Sequence, residues 1–189
     1  MSTREKIITA AVDLFIKQGI AGTTTREIAA TASVAEGSIY RYFPSKDELA
    51  WQVFDDYHQA LAQKLQQSVI NEQQLMDKIA ALVHCFLSMA DEDWLMFRYY
   101  LTSQYTHMQK VDSTTLTPYK VVMQVVQELI ESKAIKSNDV NLLCAMVMGA
   151  VHQIGINKIY GRIHGDLLPH KQLVTQTIFQ MLSANECGK

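Results

Sequence analysis

Between Gly19 and Glu48 the chain starts and stops helices in quick succession. Thr24 followed by Glu27 is a capping box: the threonine hydroxyl accepts from the third amide of a helix, and the glutamate reaches back to the threonine's own amide. Ser45 with Glu48 repeats the pattern. Between the two boxes Pro44 stops any helix that would run through, and Gly19 stands where a helix C-terminal glycine belongs. Upstream, REKIITAAVDLFIKQG spaces Ile7, Ala10, Ala11, Leu14 and Phe15 at three- and four-residue steps, which predicts one apolar helix face. After Thr24 a short helix buries Ile28, Ala29 and Ala32. Ser33-Val34-Ala35 is a tight connection, and EGSIYRYF turns Ile39 and Phe43 inward. Short helices joined by a tight turn between longer ones predict a helix-turn-helix.

The rest of the chain also reads as helix. Hydrophobic residues make up 48% of it, with three prolines and eight glycines, a balance that favours long packed helices over sheet or disorder. Helices are expected near 72–90, 92–106, 118–134, 138–163 and 169–184. Thr117 and Pro118 form an N-cap with proline at the first helical position. Ser137 or Asn138 caps the next helix, Pro169 opens the last, and the polar stretch 107–116 is a loop. The expected class is all-α. No uninterrupted apolar run reaches about 18 residues, so no membrane span is expected, and the N-terminus has no apolar core of a signal peptide. Cys85, Cys144 and Cys187 match no metal or redox spacing and read as reduced, mostly buried thiols of a cytoplasmic protein.

Within 138–163, LLCAMVMGAVHQIGI is apolar nearly all the way round, so the helix needs cover on every side. A domain of this size covers one face with its own core. Ala145, Gly149, Ala150 and Gly155 keep the helix slim, and the last helix offers Leu173, Val174, Ile178, Phe179, Met181 and Leu182. The two helices are expected to form a homodimer interface. The alternative is that both are core helices of a monomer.

Motifs of catalysis are missing: there is no Gly-rich phosphate loop, no G-x-S-x-G and no H-E-x-x-H, so no enzyme is expected. Asp91 and Asp93 read as helix-start acids. His152, His164 and His170 lack a ligand spacing, so neither a metal nor another cofactor is expected. Net charge is −2, and residues 1–50 carry six basic and six acidic side chains, so any nucleic-acid binding must come from where charges sit.

Residues 7–49 resemble the DNA-binding segment of TetR-family regulators. The residues that carry the resemblance are Ala10-Ala11, Leu14-Phe15, Gly19, Thr24-Thr25, Ile28-Ala29, Ala32, Val34, Gly37, Ile39-Tyr40, Tyr42-Phe43, Lys46 and Leu49. The resemblance implies a three-helix DNA-binding domain over 1–47 and a ligand-binding and dimerisation domain over 48–189. It also implies a dimer through the last two helices, and a ligand that shifts the long linking helix and spoils the spacing of the two DNA-binding heads. Two positions depart from the pattern. Ala35 stands where serine or threonine would cap the recognition helix, and Glu36 places an acid where the pattern is often basic or neutral.

In that geometry the second short helix enters the major groove, which nominates Glu36, Gly37, Ser38 and Arg41 near base edges. Glu36 suits cytosine N4 as an acceptor, and Arg41 suits guanine or a phosphate. Tyr40, Tyr42, Lys46 and Thr25 match positions where the family contacts phosphates, and Arg26 is a further candidate. Tyr40 and Tyr42 cannot both share the inward face of Ile39 and Phe43. The expected partner is a pseudo-palindromic double-stranded DNA operator.

Residues 84–108 are dense in aromatic and methionine side chains. Trp94, Phe97, Tyr100, Tyr105, Met123, Met148 and His152 are candidates for an effector cavity, with His84, Arg98 and Gln153 as further polar groups; each is also a candidate for plain core packing. The expected function is a ligand-responsive transcriptional repressor that releases DNA when a small, largely apolar molecule binds. The alternative is a dimeric helical interaction module without DNA binding.

Overall fold

The computed structural model describes residues 1–135 and 138–183, and its regular elements are helices. In order they are α1 (Thr3–Gly22), α2 (Thr25–Ala32), α3 (Gly37–Tyr40), α4 (Lys46–Ile70) and α5 (Leu75–Glu92), then α6 (Trp94–His107), α7 (Pro118–Glu131), α8 (Val140–Ile159) and α9 (Lys171–Ser183). The fold is all-α, as the helix periodicities predict. Contacts group the chain into two units. One holds residues 1–57 and 95–113, the other 58–94 and 114–189.

In the first unit, local chemistry sets the helix ends. Ser2 and Glu5 form a capping box that opens α1, and Thr24 and Glu27 form the one that opens α2. Gly19 breaks α1 with φ +77°, a left-handed conformation that costs glycine least. The chain then makes one more turn to Thr23, whose hydroxyl donates to the Gly19 carbonyl at 2.8 Å. Ser33 closes α2 in the left-handed region, φ 56°, and Val34 N–H donates to Ala29 O at 3.0 Å. The second expected capping box is only half formed. Glu48 N–H donates to Ser45 Oγ at 3.1 Å, but the Glu48 carboxylate accepts from Gln52 instead. The expected helix over EGSIYRYF is shorter than read: α3 ends at Tyr40, and Tyr42 and Phe43 N–H groups both close on Ile39 O.

The first unit's core joins Ile7, Ala11 and Phe15 of α1 with Ile28, Ile39, Phe43, Leu49 and Phe54, all buried. Arg4 pairs with Asp56 at 3.1 Å and lies over the Phe43 ring at 5.4 Å, which ties the start of α1 to α4. α6 docks through aromatics. Tyr99 lies 5.9 Å from Phe15 and donates its hydroxyl to Ala50 O at 2.8 Å, while Tyr100 stacks on Phe54 at 5.3 Å.

In the second unit α5 packs against α7, α8 and α9, and α7 against α8. Asp91 is not a helix-start acid as read from sequence. It sits in the last turn of α5, where its carboxylate accepts from the Leu167 and Leu168 amides at 2.9 and 2.8 Å and from Lys158 Nζ at 3.3 Å. Burial alone would raise this carboxyl's pKa; the two amides and the ammonium outweigh it and hold the group below its ordinary range. Thr117 caps α7 with Pro118 at the first position, as expected. Asp139, rather than Asn138, caps α8, and Ser137 lies outside the described residues. Pro169 sits in a 3-10 turn ahead of α9.

α8 buries Leu143, Cys144 and Val147, while Leu142, Ala145, Gly149 and Gln153 form an exposed face at three- and four-residue steps. Leu142 is 55% exposed. By length and composition Val140–Ile159 is long and apolar enough to cross a membrane, although polar residues interrupt its apolar run. Ile178 and Leu182 of α9 belong to this unit's own core, so the expected interface keeps Leu173, 65% exposed, and the half-buried Val174, Phe179 and Met181. Cys85 and Cys144 are free and buried, and burial pushes both thiols up to about 11; Cys187 lies outside the described residues.

Candidate nucleic-acid interface

α2 and α3 turn their apolar residues into the first unit, and that forces their remaining side chains outward. Ile39 and Phe43 are fully buried, so Tyr40 and Tyr42 emerge, 53% and 41% exposed. Arg26, Glu36, Gly37 and Arg41 are exposed, while Thr25, Ser38 and Lys46 are half-buried. α3 has no side-chain cap: its N-cap residue is Glu36 rather than the expected Ala35, and the Glu36 carboxylate accepts from Thr25 instead of from the helix's first amides. Gly37 has no left-handed backbone, and a Cβ built on it would meet nothing within 4 Å. This chain's own packing does not require glycine there. A close external surface would.

A small polar network joins the two helices. Thr25 Oγ1 donates to Glu36 Oε1 at 2.8 Å and lies 3.2 Å from the Tyr40 hydroxyl. Beside it, Lys46 Nζ donates to Thr23 O at 2.6 Å, which fastens the first residue of α4 to the turn before α2. Glu27 accepts from Thr24, and those hydrogen bonds hold its carboxyl below the usual range, with Lys46 adding a smaller pull. The network joins Thr25, Glu36 and Tyr40, Lys46 is held separately by the Thr23 carbonyl, and Arg26, Arg41 and Tyr42 have no part in either. Hydroxyl, phenol, ammonium and guanidinium donors on an exposed helical edge suit phosphate oxygens and groove-facing base atoms. The sequence reading missed Thr23. Its burial and its carbonyl's hold on Lys46 follow from the break at Gly19, the one local signal that could have exposed it.

The sequence model described as bacterial regulatory proteins, tetR family, matches residues 7–53, the segment from α1 into α4 that builds this edge. The probable HTH-type transcriptional regulator YttP of Bacillus subtilis is 29% identical over 68% of the chain. Residues 7–53 are a TetR-family DNA-binding segment. The HTH-type transcriptional repressor KstR2 of Mycolicibacterium smegmatis is 30% identical over 43% of it. These alignments span 64% and 40% of the two relatives' own lengths. The TetR-like fold extends further: FadR of Bacillus subtilis, solved in complex with stearoyl-CoA, superposes with a TM-score of 0.74. That match covers 96% of this chain and 99% of that one, at 20% identity.

The effector-cavity candidates fall in different places. Phe97 and Tyr100 are buried in the first unit, with Tyr100 5.2 Å from Tyr57 as well as stacked on Phe54. Tyr105 is 93% exposed, five residues from Tyr100 and hence on another side of α6. Trp94, Met123, Met148 and His152 are half-buried in the second unit, Trp94 beneath the Lys158 ammonium at 4.8 Å. Burial lowers the His152 pKa and favours a neutral imidazole. Among the described residues no three His, Cys, Asp or Glu side chains converge as a metal site.

Proposed function

We propose that this chain is a cytoplasmic, homodimeric TetR-family transcriptional regulator that binds a pseudo-palindromic operator and releases it when a small effector occupies residues 48–189. Residues 1–47 are the DNA-reading head in this proposal. The observation that carries it is the coincidence of the family match at residues 7–53 with the exposed donors Tyr40, Arg41 and Tyr42 and the half-buried donors Thr25 and Lys46. α3 supplies Gly37, Ser38 and Arg41 to base edges. Thr25, Tyr40, Tyr42, Lys46 and Arg26 take phosphates, which fix register and orientation.

The exposed face of α8 supports dimerisation. Leu142, Ala145 and Gly149 leave one side of an apolar helix bare, and a second copy covers it with the same surface. Lipid is the poorer cover, because His152, Gln153, Asn157 and Lys158 interrupt the helix and Lys158 is committed to Asp91. Repression follows the role of the repressor KstR2, and the stearoyl-CoA in the FadR complex supports an effector with an apolar body. No enzymatic role is proposed, since the relatives are regulators.

Selection from a random DNA library at two salt concentrations tests the reading. Recovery of paired half-sites whose centres lie about one helical turn, ~34 Å, apart supports a two-headed DNA reader, with affinity falling steeply as salt rises. Failure at low salt, with and without candidate effectors, favours the interaction module instead. The hold of Glu36 on Thr25 is the observation that favours that second reading, because it occupies a donor that DNA would need.

A further inference from the structure

A cleft of about 890 Å³ opens within the first unit, between the last turns of α1, the start of α4 and the outer half of α6. None of the seven residues proposed above for the effector cavity lines it. Its size falls in the range of small-molecule sites, roughly 300–1,000 Å³. Phe15, Ile16 and Ile20 form an apolar wall. Lys46, Arg98 and Lys110 also line it, with Asp47 the carboxylate among the lining residues.

Two polar atoms at this cleft are orphaned. His107 is 3% exposed, and its Nδ1 is buried with no hydrogen-bond partner; its other nitrogen lies 3.5 Å from the Tyr99 hydroxyl. Arg98 Nε is likewise buried without a partner. Buried polar groups are nearly always satisfied, so an orphaned atom on each of two lining residues points to a missing polar partner, an acceptor in the case of Arg98 Nε. The cations are also uncommitted to carboxylates: none of Lys46, Arg98 and Lys110 belongs to an ion pair among the described residues. Lys46 is held by the Thr23 carbonyl, and Lys110 lies 5.8 Å over the Trp51 ring.

We infer that this cleft binds a small organic anion, a carboxylate or phosphate group carried on a short apolar body. The anionic group sits at Arg98, whose guanidinium turns so that Nε, buried in the free chain, and a terminal nitrogen both donate to it in the side-on fork that carboxylates and phosphates both fit. Lys110 adds charge at the rim, His107 takes a polar atom of the ligand, and the body lies against Phe15, Ile16 and Ile20. A neutral ligand of the same shape leaves Arg98 as it is and gains only the apolar wall.

Isothermal titration calorimetry of the full chain with phenylacetate, phenyl phosphate and neutral phenylacetamide tests this, alongside Arg98→Gln, Lys110→Gln and the distant control Lys64→Ala. Both anions are expected to bind, the amide about tenfold or more weaker, with Arg98→Gln costing a similar factor, Lys110→Gln about threefold and Lys64→Ala nothing. The tighter of the two anions tells which anionic group the cleft prefers. No heat from either anion up to about 10 mM, equal binding of amide and acid, or binding indifferent to Arg98→Gln and Lys110→Gln each overturns the inference. Should Arg98→Gln fail to fold, the exposed Lys110 variant decides alone. The titrations contain no DNA, so their failure leaves the proposed operator binding standing.

Discussion

The Thr25 hydroxyl donates to the Glu36 carboxylate at 2.8 Å, and the Tyr40 hydroxyl lies 3.2 Å from the same Thr25 oxygen. Thr25 and Tyr40 are the residues proposed to take DNA phosphates. In the free protein an acidic side chain therefore stands where a phosphate would be received. DNA must displace or repel that carboxylate before the two hydroxyls can turn to the backbone. Glu36→Gln keeps the shape and an acceptor oxygen but removes the charge. It is expected to tighten binding to random DNA about three- to tenfold at low salt, with a smaller gain at high salt, because the removed term is a screened charge repulsion. Fluorescence anisotropy on a random duplex over a salt series measures this. A loss of operator affinity instead would assign Glu36 to base readout.

Lys46 and Arg41 separate positioning from reading. Lys46→Ala removes one proposed phosphate contact, so binding to every sequence should weaken alike, and the slope of log affinity against log salt should fall by about 0.9. Tyr42→Phe should also act uniformly, without the salt term. Arg41→Ala should relax the preference at one base position, with a discrimination loss of about 1–3 kcal/mol. Equal losses on operator and random DNA for all three variants would remove Arg41 from the readout role. Lys46 also ties α4 to Thr23, so the melting temperature of Lys46→Ala must be checked beside its DNA affinity.

Helix starts were legible because their chemistry is local. Thr24 with Glu27, and Thr117 with Pro118, carry their own instructions within three residues. The outward turn of Tyr40 and Tyr42 was legible for the same reason, since helix geometry alone keeps both from the face of Ile39 and Phe43. The bond from Thr25 to Glu36 spans eleven residues and depends on how Ser33 turns the chain, so no periodicity announces it. Asp91 with Leu167, 76 residues apart, and Tyr99 with Ala50, 49 apart, are tertiary and equally silent. The aromatic density of its segment nominates Tyr105, but density says nothing of helix face, and the side chain stands in solvent. Glu48 shows the limit of a local rule: its carboxylate found Gln52 a better partner than the Ser45 amide.

Asp91 pins the 3-10 turn before α9 to the end of α5. Its carboxylate receives two amides and an ammonium, and its side chain and that of Lys158 are each 15% exposed. Asp91→Asn offers one acceptor oxygen in place of two and turns an N–H₂ toward a donor. It is expected to destabilise the fold by roughly 2–4 kcal/mol, lowering the melting temperature by about 5–15 °C. Because the folded-state pKa is depressed, this stabilisation is fully present above the ordinary carboxyl range near 4 and is lost as pH falls through the lower folded value. The wild-type melting temperature should therefore drop on acidification toward and below pH 4, and the Asp91→Asn protein should show a shallower drop. Parallel pH profiles would mean that the three donors on Asp91 contribute little.

The bare face of α8 gives the last prediction. Leu142, Ala145, Gly149 and Gln153 follow one another at helical steps along a stripe that is exposed among the described residues. If a second copy covers it, a charge in its middle must be buried without a partner. Ala145→Glu is solvent-exposed in the single chain, so its fold should survive, with the melting transition retained. Its dimer should weaken by several kcal/mol, the cost of an unpaired buried carboxylate, and sedimentation at about 10 µM should show monomer where the wild type shows dimer. Operator affinity should fall with it, since paired half-sites reward two linked heads over one. A variant that stays dimeric would place the interface elsewhere. A wild type that sediments as monomer at every concentration would leave the stripe for another partner and make two-headed binding untenable without DNA to assemble it.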